Sequence, residues 1–116
     1  MADFNKVILM GNLTKDPELR FSSDGRAIGK LKMAVNRKWK DKDGETKSEA
    51  SFFDITAFGK AAEIVSQYVE KGSPLLVDGK LRSYNYENKE GERKYGTEVI
   101  MENFQFLPQG SRSSNG

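Results

Sequence analysis

Aromatic side chains that stand beside cations are the residues of this chain best suited to binding chemistry. The only tryptophan, Trp39, lies within the run Arg37-Lys38-Trp39-Lys40, and Tyr84 and Tyr86 follow Arg82. Aromatic rings stack on flat bases, and lysine or arginine side chains in a groove neutralise phosphates. A single nucleic-acid strand offers both features, so this combination favours a surface that binds unpaired bases.

The same aromatic residues also have structural interpretations. Trp39 could anchor a loop against the body of the protein, and Tyr84 and Tyr86 could support a hairpin. Phe52 and Phe58 share a predicted strand face with polar residues, which argues against full burial, although a place in the core remains open. The other face of that strand begins with Phe53, which is typical of core or subunit contact.

The composition excludes several classes of site. The chain has no cysteine and no histidine, so disulfides, thiolate or histidine metal sites and histidine-based catalysis are excluded. Two pairs of carboxylates, Asp16 with Glu18 and Asp41 with Asp43, stand in turns rich in lysine or glycine, which favours solvated turns over acid–base or magnesium chemistry. Gly59-Lys60 lacks the remainder of a phosphate-binding loop. We therefore expect neither an enzyme, nor a metal, nor a cofactor.

Charge and hydropathy indicate one polar domain. The chain has 116 residues, a net charge of +2, a mean hydropathy of −0.69 and 36% hydrophobic residues. This length allows one modest core. No apolar run approaches the roughly 20 residues of a membrane-spanning helix, and the N-terminal residues do not resemble a signal peptide. We expect a cytoplasmic, nucleoid-associated protein with no membrane partner.

Hydrophobic periodicity predicts five strands and one short helix between the third and fourth strands. Alternation is clearest from Ala27 to Val35, where lysines at 30 and 32 share one face. This pattern is that of an all-β OB-fold, a five-stranded Greek-key barrel, over residues 1–107, followed by a disordered polar tail over 108–116. The predicted strands are Phe4–Leu13, Ala27–Val35, Ser51–Phe58, Leu75–Arg82 and Tyr95–Leu107, and the predicted helix is Lys60–Lys71 with Gly72 as its C-terminal cap.

Several sequence blocks, in one order and at compatible spacing, give the chain a family resemblance. From residue 4 to residue 107 it resembles the DNA-binding domain of the bacterial single-stranded DNA-binding protein family. The blocks are Asn5-Lys6-Val7-Ile8-Leu9, Gly11-Asn12-Leu13, Asp16-Pro17-Glu18, Phe58-Gly59-Lys60, Ala62-Glu63, Lys71-Gly72-Ser73, Gly79-Lys80-Leu81-Arg82, and Tyr95 with Thr97-Glu98-Val99.

The resemblance implies particular site residues. The family's base-stacking aromatics fall on Trp39, Phe52, Phe58 and Tyr86, where Phe52 and Tyr86 replace the tryptophans of many relatives. Its phosphate contacts fall on Lys6, Arg20, Lys60, Lys71 and Arg82. The implied activity is sequence-independent binding and protection of single-stranded DNA in replication, recombination and repair, without catalysis.

The resemblance also implies a homotetramer, with Phe53 near a subunit contact. Four basic faces would then offer a continuous track despite the small charge per chain. Many relatives end in an acidic tail that recruits replication and repair enzymes. This sequence ends Ser-Ser-Asn-Gly, so we do not expect that recruitment from the sequence given.

Three competing hypotheses remain at this point. A primosome-type or RNA-binding OB-fold would use the same platform on another ligand, which a comparison of DNA and RNA strands would reveal. A protein-interaction barrel would bury the aromatics, so that Trp39 fluorescence would not respond to an oligonucleotide. An enzyme would show turnover that is lost when a carboxylate pair is mutated.

Overall fold

The computed structural model describes residues 2–108 and contains six strands and one helix. The predicted five strands and the single helix are all present. One short strand was not predicted, because its four exposed residues lie between the turn signals Asp16-Pro17 and Asp24-Gly25 and are too few for a clear alternation. The elements are β1 (Val7–Leu13), β2 (Glu18–Phe21), β3 (Ala27–Lys40), β4 (Thr46–Phe58), α1 (Gly59–Tyr68), β5 (Pro74–Glu87) and β6 (Arg93–Phe106).

The strands form one sheet that closes into a barrel. Their order is β1-β5-β6-β4-β3-β2, and a further pairing of Leu13 in β1 with Met33 in β3 closes five of the strands into a barrel, with β2 at the edge of β3. A short parallel pairing of Ile55 with Val99 joins β4 to β6, whereas the other neighbours are antiparallel. This arrangement, with a helix between β4 and β5, is an OB-fold and confirms the predicted fold class.

The core lies on the inner face of the sheet and is covered at one side by the helix. Leu31, Met33, Ile55 and Val77 are almost fully buried, and Val65 of the helix packs with them. The alternation predicted for β3 is present, since Lys30 between the buried Gly29 and Leu31 is exposed. Each strand of the barrel therefore has an inner face that stabilises the fold and an outer face that is available for binding.

Two strand pairs extend beyond the barrel as hairpin arms. The first arm comprises residues 36–51 of β3 and β4, and the second arm comprises residues 83–97 of β5 and β6. At the two tips, the side chains of Asp41 and Asn88 accept backbone hydrogen bonds of 2.9–3.0 Å from residues two and four positions further along. Gly44 and Gly91 adopt positive φ values of 80° and 81°, which other residues rarely adopt. The two arms therefore end in the same type of turn.

The helix ends earlier than the sequence predicted. It stops at Tyr68, and Val69 caps it in an extended conformation while its N–H donates to the carbonyl of Val65. Val69 is buried, so its place in the core ends the helix before Gly72. Gly72 instead has positive φ in the following turn, where its N–H donates to Leu13. Among residues 2–108, no helix has the length and apolar character needed to cross a membrane.

Candidate nucleic-acid interface

The register of β2, β3 and β4 builds a mixed aromatic and cationic surface, here called the outer face. Paired residues of antiparallel strands point to the same side of the sheet. Because Lys30 points away from the core, its cross-strand partners Glu18 and Thr56 do so too. The outer face of these strands comprises Glu18 and Arg20 of β2, Ile28, Lys30, Lys32 and Ala34 of β3, and Phe52, Asp54, Thr56 and Phe58 of β4.

Phe52 and Phe58 stand at the two ends of this surface and differ in their surroundings. Phe52 is 61% exposed, which is unusual for a phenylalanine and leaves its ring accessible to a ligand. Phe58 is half-buried, and the guanidinium carbon of Arg26 lies 4.7 Å from its ring centroid. Between them, Lys32 pairs with Asp54 at 3.4 Å. The outer face therefore offers one open ring and one that a cation already covers.

A polar network continues the outer face across β6 to β5. Thr56 donates a hydrogen bond to Glu98 Oε1 at 2.5 Å and accepts one from Lys30 Nζ at 3.1 Å. Arg82 donates to Glu98 Oε2 from both Nε, at 3.0 Å, and Nη2. Four neighbouring strands thus contribute one side chain each to a continuous row. We call it the Glu98 row, and it comprises Lys30, Thr56, Glu98 and Arg82.

Glu98 is a buried carboxylate that this row keeps ionised. Its side chain is only 7% exposed, whereas those of Lys30 and Arg82 are more than half exposed. Burial alone raises the pKa of Glu98. Hydrogen bonds from Thr56 and Arg82, with the positive charges of Lys30 and Arg82, outweigh burial and leave the pKa below its ordinary value. The floor of the outer face therefore carries a fixed negative charge beneath two exposed cations.

A groove of about 200 Å³ is lined by Lys30, Thr56 and Glu98 of this row, whereas Arg82 is not among its lining residues. Three lysines and one tyrosine contribute to its walls, and two carboxylates to its lining. A cleft lined by several cations concentrates an anionic ligand. The polar and aromatic residues around it are Lys15, Lys30, Lys32, Asp54, Thr56, Tyr84 and Glu98.

The second arm extends the outer face through Tyr84 and Tyr86. Both have the same strand parity as Arg82, and their rings stack with centroids 6.3 Å apart. Tyr84 lies across Gly96 so closely that a Cβ atom there would stand 2.5 Å from the ring. Tyr84 therefore supports the arm, while Tyr86 presents a half-exposed ring. Tyr95 is 78% exposed and lies on the opposite side of the same arm, because side chains alternate along a strand.

Trp39 lies in the first arm, as its flanking cations suggested, but not on the outer face. The β3–β4 register is continuous, so Trp39 shares its side with Leu31 and Met33 rather than with Phe52. It lies beyond the barrel and is 38% exposed, and Arg37 stands 4.3 Å above its ring. The structure therefore does not bring Trp39 onto one flat platform with Phe52, Phe58 and Tyr86.

The predicted phosphate contacts are spread over the molecule. Arg20 and Arg82 lie on the outer face, whereas Lys60 is the second residue of the helix and Lys71 follows the helix. Lys6 precedes β1 and pairs with Asp78 at 3.0 Å and with Glu102 at 3.7 Å. The hydrogen bond to Asp78 is the main cause of a raised Lys6 pKa. Lys6 is thus the one predicted contact that already holds two acidic partners.

Phe53, predicted at a subunit contact, points to the inner side of β4. It is half-buried and stands opposite Met33, which is fully buried. It therefore lies on the core side of the sheet opposite Met33, but it is not among the side chains that pack against the core. Its contact with a second chain stays a prediction.

Sequence reasoning missed Arg26, Lys15 and Glu98 as members of this surface. Arg26 follows a turn glycine and carries no periodic signal, and Glu98 meets its partners only through strand pairing over 16 to 42 residues. The signal that could have found Glu98 is its isolation, because it is the one acidic residue in the run Gly96-Thr-Glu-Val-Ile-Met101. In the part of the chain that the structure describes, no cluster of three acidic residues could hold a metal.

Comparison with known proteins identifies relatives of this chain. The chain is 44% identical over 113 residues to the single-stranded DNA-binding protein of Clostridium perfringens, covering 97% of this chain and 71% of that relative. It is 46% identical over 111 residues to single-stranded DNA-binding protein 1 of Staphylococcus aureus, covering 96% and 70%.

A solved structure supports the fold independently. The structure described as Plasmodium falciparum SSB in complex with ssDNA superposes with a TM-score of 0.86 at 23% identity, over 93% of this chain and 98% of that one. The model of the single-strand binding protein family matches residues 4–107, which is nearly all of the described chain. The chain therefore belongs to the single-strand binding protein family.

Proposed function

We propose that this chain binds and protects single-stranded DNA independently of sequence and without catalysis. The observation that carries the proposal is the outer face, where exposed aromatic rings stand beside exposed cations over one continuous sheet. Such a surface can stack bases and neutralise phosphates at the same time. The names of the relatives support the same activity. In the cell, it would coat unpaired DNA during replication, recombination and repair.

Base stacking is assigned to four rings in three places, of which Trp39 alone lies off the outer face. Phe52 and Phe58 lie on the sheet itself, Tyr86 lies on the second arm and Trp39 lies on the first arm. Because Trp39 and Phe52 lie on opposite sides of the β3–β4 ladder, a strand that contacts both must pass around the edge of the first arm. A DNA strand that wraps around the protein fits this placement better than a DNA strand that lies straight across the sheet.

Phosphate neutralisation is assigned to five cations around the same path. Arg82 and Arg20 lie on the outer face with the aromatic residues, and Lys60 stands two residues after Phe58 in sequence. Lys71 and Lys6 lie farther from this centre, and Lys6 must exchange acidic partners for a phosphate. We therefore rank Arg82, Arg20 and Lys60 above the other two as contacts.

Assembly into a homotetramer is part of the proposal, and the first strand supports it. Residues 7–11 of β1 pair with β5 on one side only, since β3 pairs with β1 only at Asn12 and Leu13. On this open edge, Ile8 and Met10 are 66% and 56% exposed. An unpaired strand edge with apolar side chains favours pairing with another chain.

We assign the binding domain to residues 1–107. The predicted tail at 108–116 falls, apart from Pro108, outside the described residues.

Replacing Phe53 by arginine tests the assembly. We expect the oligomer to dissociate, because an unpaired charge in a packed contact is strongly destabilising. Size-exclusion chromatography with light scattering gives the mass, and circular dichroism checks that the fold remains, since Phe53 also lies on the core side of the sheet. A folded variant of unchanged mass would remove Phe53 from the interface.

The direct test of function is a titration of Trp39 fluorescence with oligo-dT at low and high salt. Oligo-U of equal length and duplex DNA serve as comparison ligands. Quenching by oligo-dT that weakens with salt and is absent with duplex is the expected result. Stronger binding of oligo-U would favour an RNA-binding protein. No response to any strand, in fluorescence and in a parallel gel-shift assay, would reject the function.

A further inference from the structure

The Glu98 row presents a puzzle for a surface that binds a polyanion. Glu98 places a negative charge at the floor of the groove, where a simple electrostatic argument predicts repulsion of the backbone. The carboxylate is nevertheless buried and accepts hydrogen bonds from Thr56 and Arg82, with a second cation, Lys30, 3.8 Å away. A buried charge is costly unless it is paired, so its presence here needs a reason.

The hydrogen-bond geometry of Arg82 supplies that reason. Its Nε and Nη2 atoms both donate to Glu98 Oε2, which fixes one edge of the planar guanidinium. Among the described residues, no hydrogen bond uses Nη1. The Arg82 side chain is 58% exposed while that of Glu98 is 7% exposed. One edge of the Arg82 guanidinium is thus held by Glu98, and the other edge faces solvent.

Lys30 is held from the other side of the same carboxylate. Its Nζ donates to Thr56 Oγ1 at 3.1 Å and lies 3.8 Å from Glu98 Oε1, while Thr56 donates to that same oxygen. Each carboxylate oxygen of Glu98 therefore pairs with one exposed cation, Oε1 with Lys30 and Oε2 with Arg82. Long cationic side chains lose considerable rotamer freedom when a ligand immobilises them. A cation that the protein already holds in place loses less of it on binding.

We propose that Glu98 is a positioning residue for single-stranded DNA, which holds Arg82 and Lys30 in a fixed arrangement so that their free donors meet a backbone phosphate. The inference rests on the proposed function and deepens it, because it assigns a role to a residue that does not touch the strand. Arginine held in this way offers a second pair of donors that matches phosphate geometry. The carboxylate thus assists anion binding although it is itself an anion.

The variant that tests this is Glu98→Gln, which keeps the shape of the side chain and removes its charge. The matched control is Glu102→Gln on the same strand, where an exposed carboxylate pairs with Lys6 and Lys80 outside the groove. Affinity for oligo-dT is measured at several salt concentrations for both variants and for the unmodified chain. Binding by the unmodified chain establishes the function separately, so that its failure is distinguishable from failure of the inference.

We expect Glu98→Gln to weaken binding about threefold to tenfold and to reduce the salt slope by about 0.7, the value for one phosphate of a single strand. Glu102→Gln should not weaken binding, because its loss of charge only frees Lys6 and Lys80 from one acidic partner. In an Arg82→Gln background, Glu98→Gln should reduce the salt slope no further, or only by the part of the slope that Lys30 contributes. Tighter binding would mean that the carboxylate only repels the strand, and unchanged affinity and slope would mean that it only stabilises the fold. Either result overturns the proposal.

A measurement on the unmodified chain covers the case in which Glu98→Gln does not fold. The Nε–H signal of Arg82 in nitrogen-15 NMR spectra, assigned by its loss in Arg82→Lys, reports on the held edge. We expect a sharp, separate signal in the free protein that shifts when oligo-dT is added. A signal averaged with the exposed arginines, or one that oligo-dT leaves unchanged, would overturn the proposal.

Discussion

The two hairpin arms share a turn but differ in what they present to a ligand. Both tips use a side-chain oxygen that accepts two backbone hydrogen bonds, followed by a glycine with positive φ. The second arm continues the outer face of the barrel with Tyr86, whereas the first arm carries Trp39 on the other side of its ladder. Local sequence therefore sets the turn, and register relative to the barrel decides which side can bind.

The ion pairs of the arms differ in the same way. In the first arm, Arg37 and Glu49 pair at 3.3 Å with both side chains more than half exposed. At the base of the second arm, Arg82 pairs with a carboxylate that is buried. Exposed pairs contribute little, while hydrogen bonds to a buried charge contribute more. The second arm is thus anchored to the barrel and the first is supported mainly by its own ladder.

The largest expected effect is on stability at the anchored arm. Glu98→Gln should lower the free energy of unfolding by about 2–3 kcal/mol, since three hydrogen bonds to a charge are weakened. Glu49→Gln in the first arm should change it by less than about 0.5 kcal/mol. Urea denaturation followed by circular dichroism measures both. Equal effects would remove the distinction between the arms.

The pH dependence of that stability has a defined sign. The folded pKa of Glu98 lies below the ordinary value of 4.5, so its contribution is present above about pH 4.5 and is lost as the pH falls through the folded pKa. Glu98→Gln should therefore flatten the acid side of the stability profile. A variant that loses stability in acid as steeply as the unmodified chain would contradict this assignment.

Tyrosine substitutions on the two sides of the second arm give the next largest effect. Tyr86→Ala should weaken oligo-dT binding by about 2 kcal/mol, because one stacking ring is removed. Tyr95→Ala is the matched control, since this tyrosine is more exposed but lies on the opposite side of the same arm. Fluorescence titration compares the two. A larger loss from Tyr95→Ala would place the strand on the wrong side of the arm in our proposal.

The shared turn predicts similar effects of alanine at both tips. Gly44→Ala and Gly91→Ala should each destabilise the protein by about 1–2 kcal/mol, because both residues adopt the left-handed conformation. Thermal unfolding measures the two variants side by side, with Lys42→Ala and Lys89→Ala as controls two positions earlier in each turn. A loss at only one tip would show that the turns are not equivalent.

The smallest effect is expected at Trp39. Trp39→Ala should weaken binding by about 1 kcal/mol, the lower end of the stacking range, because Arg37 already covers one side of the ring. The fold should remain, since the residue lies beyond the core. Because the variant lacks the only tryptophan, fluorescence anisotropy of a labelled oligo-dT replaces intrinsic fluorescence. Unfolding of the variant would instead support the loop-anchor interpretation.

Much of the fold could be predicted, and the limits have physical causes. The alternation of Ala27–Val35 and the apolar stripe of the helix report burial, which is what periodicity measures. The arms are also strands, but both of their faces are largely polar, so residues 36–50 and 83–94 carried no such signal and fell outside the predicted strands. The end of the helix was misplaced because Val69 is held by the core rather than by a local cap.

The candidate site was predictable where it depends on one strand and not where it depends on several. Alternation alone placed Phe52 and Phe58 on one side of a strand, and lysines 30 and 32 on one side of another. The Glu98 row needs four strands in register, which one sequence does not specify. Trp39 is intermediate, since counting residues from Met33 places it correctly only if β3 is known to extend to Lys40.

The contact of Arg26 with Phe58 has a kinetic consequence. A base that reaches this ring from the covered side meets a position already filled, so stacking there is an exchange of one partner for another. The driving force at Phe58 is then the difference between two stacks, and it is smaller than at the open ring of Phe52. Phe58 would therefore release its base sooner than Phe52, and a bound strand could shift along the surface without leaving the protein.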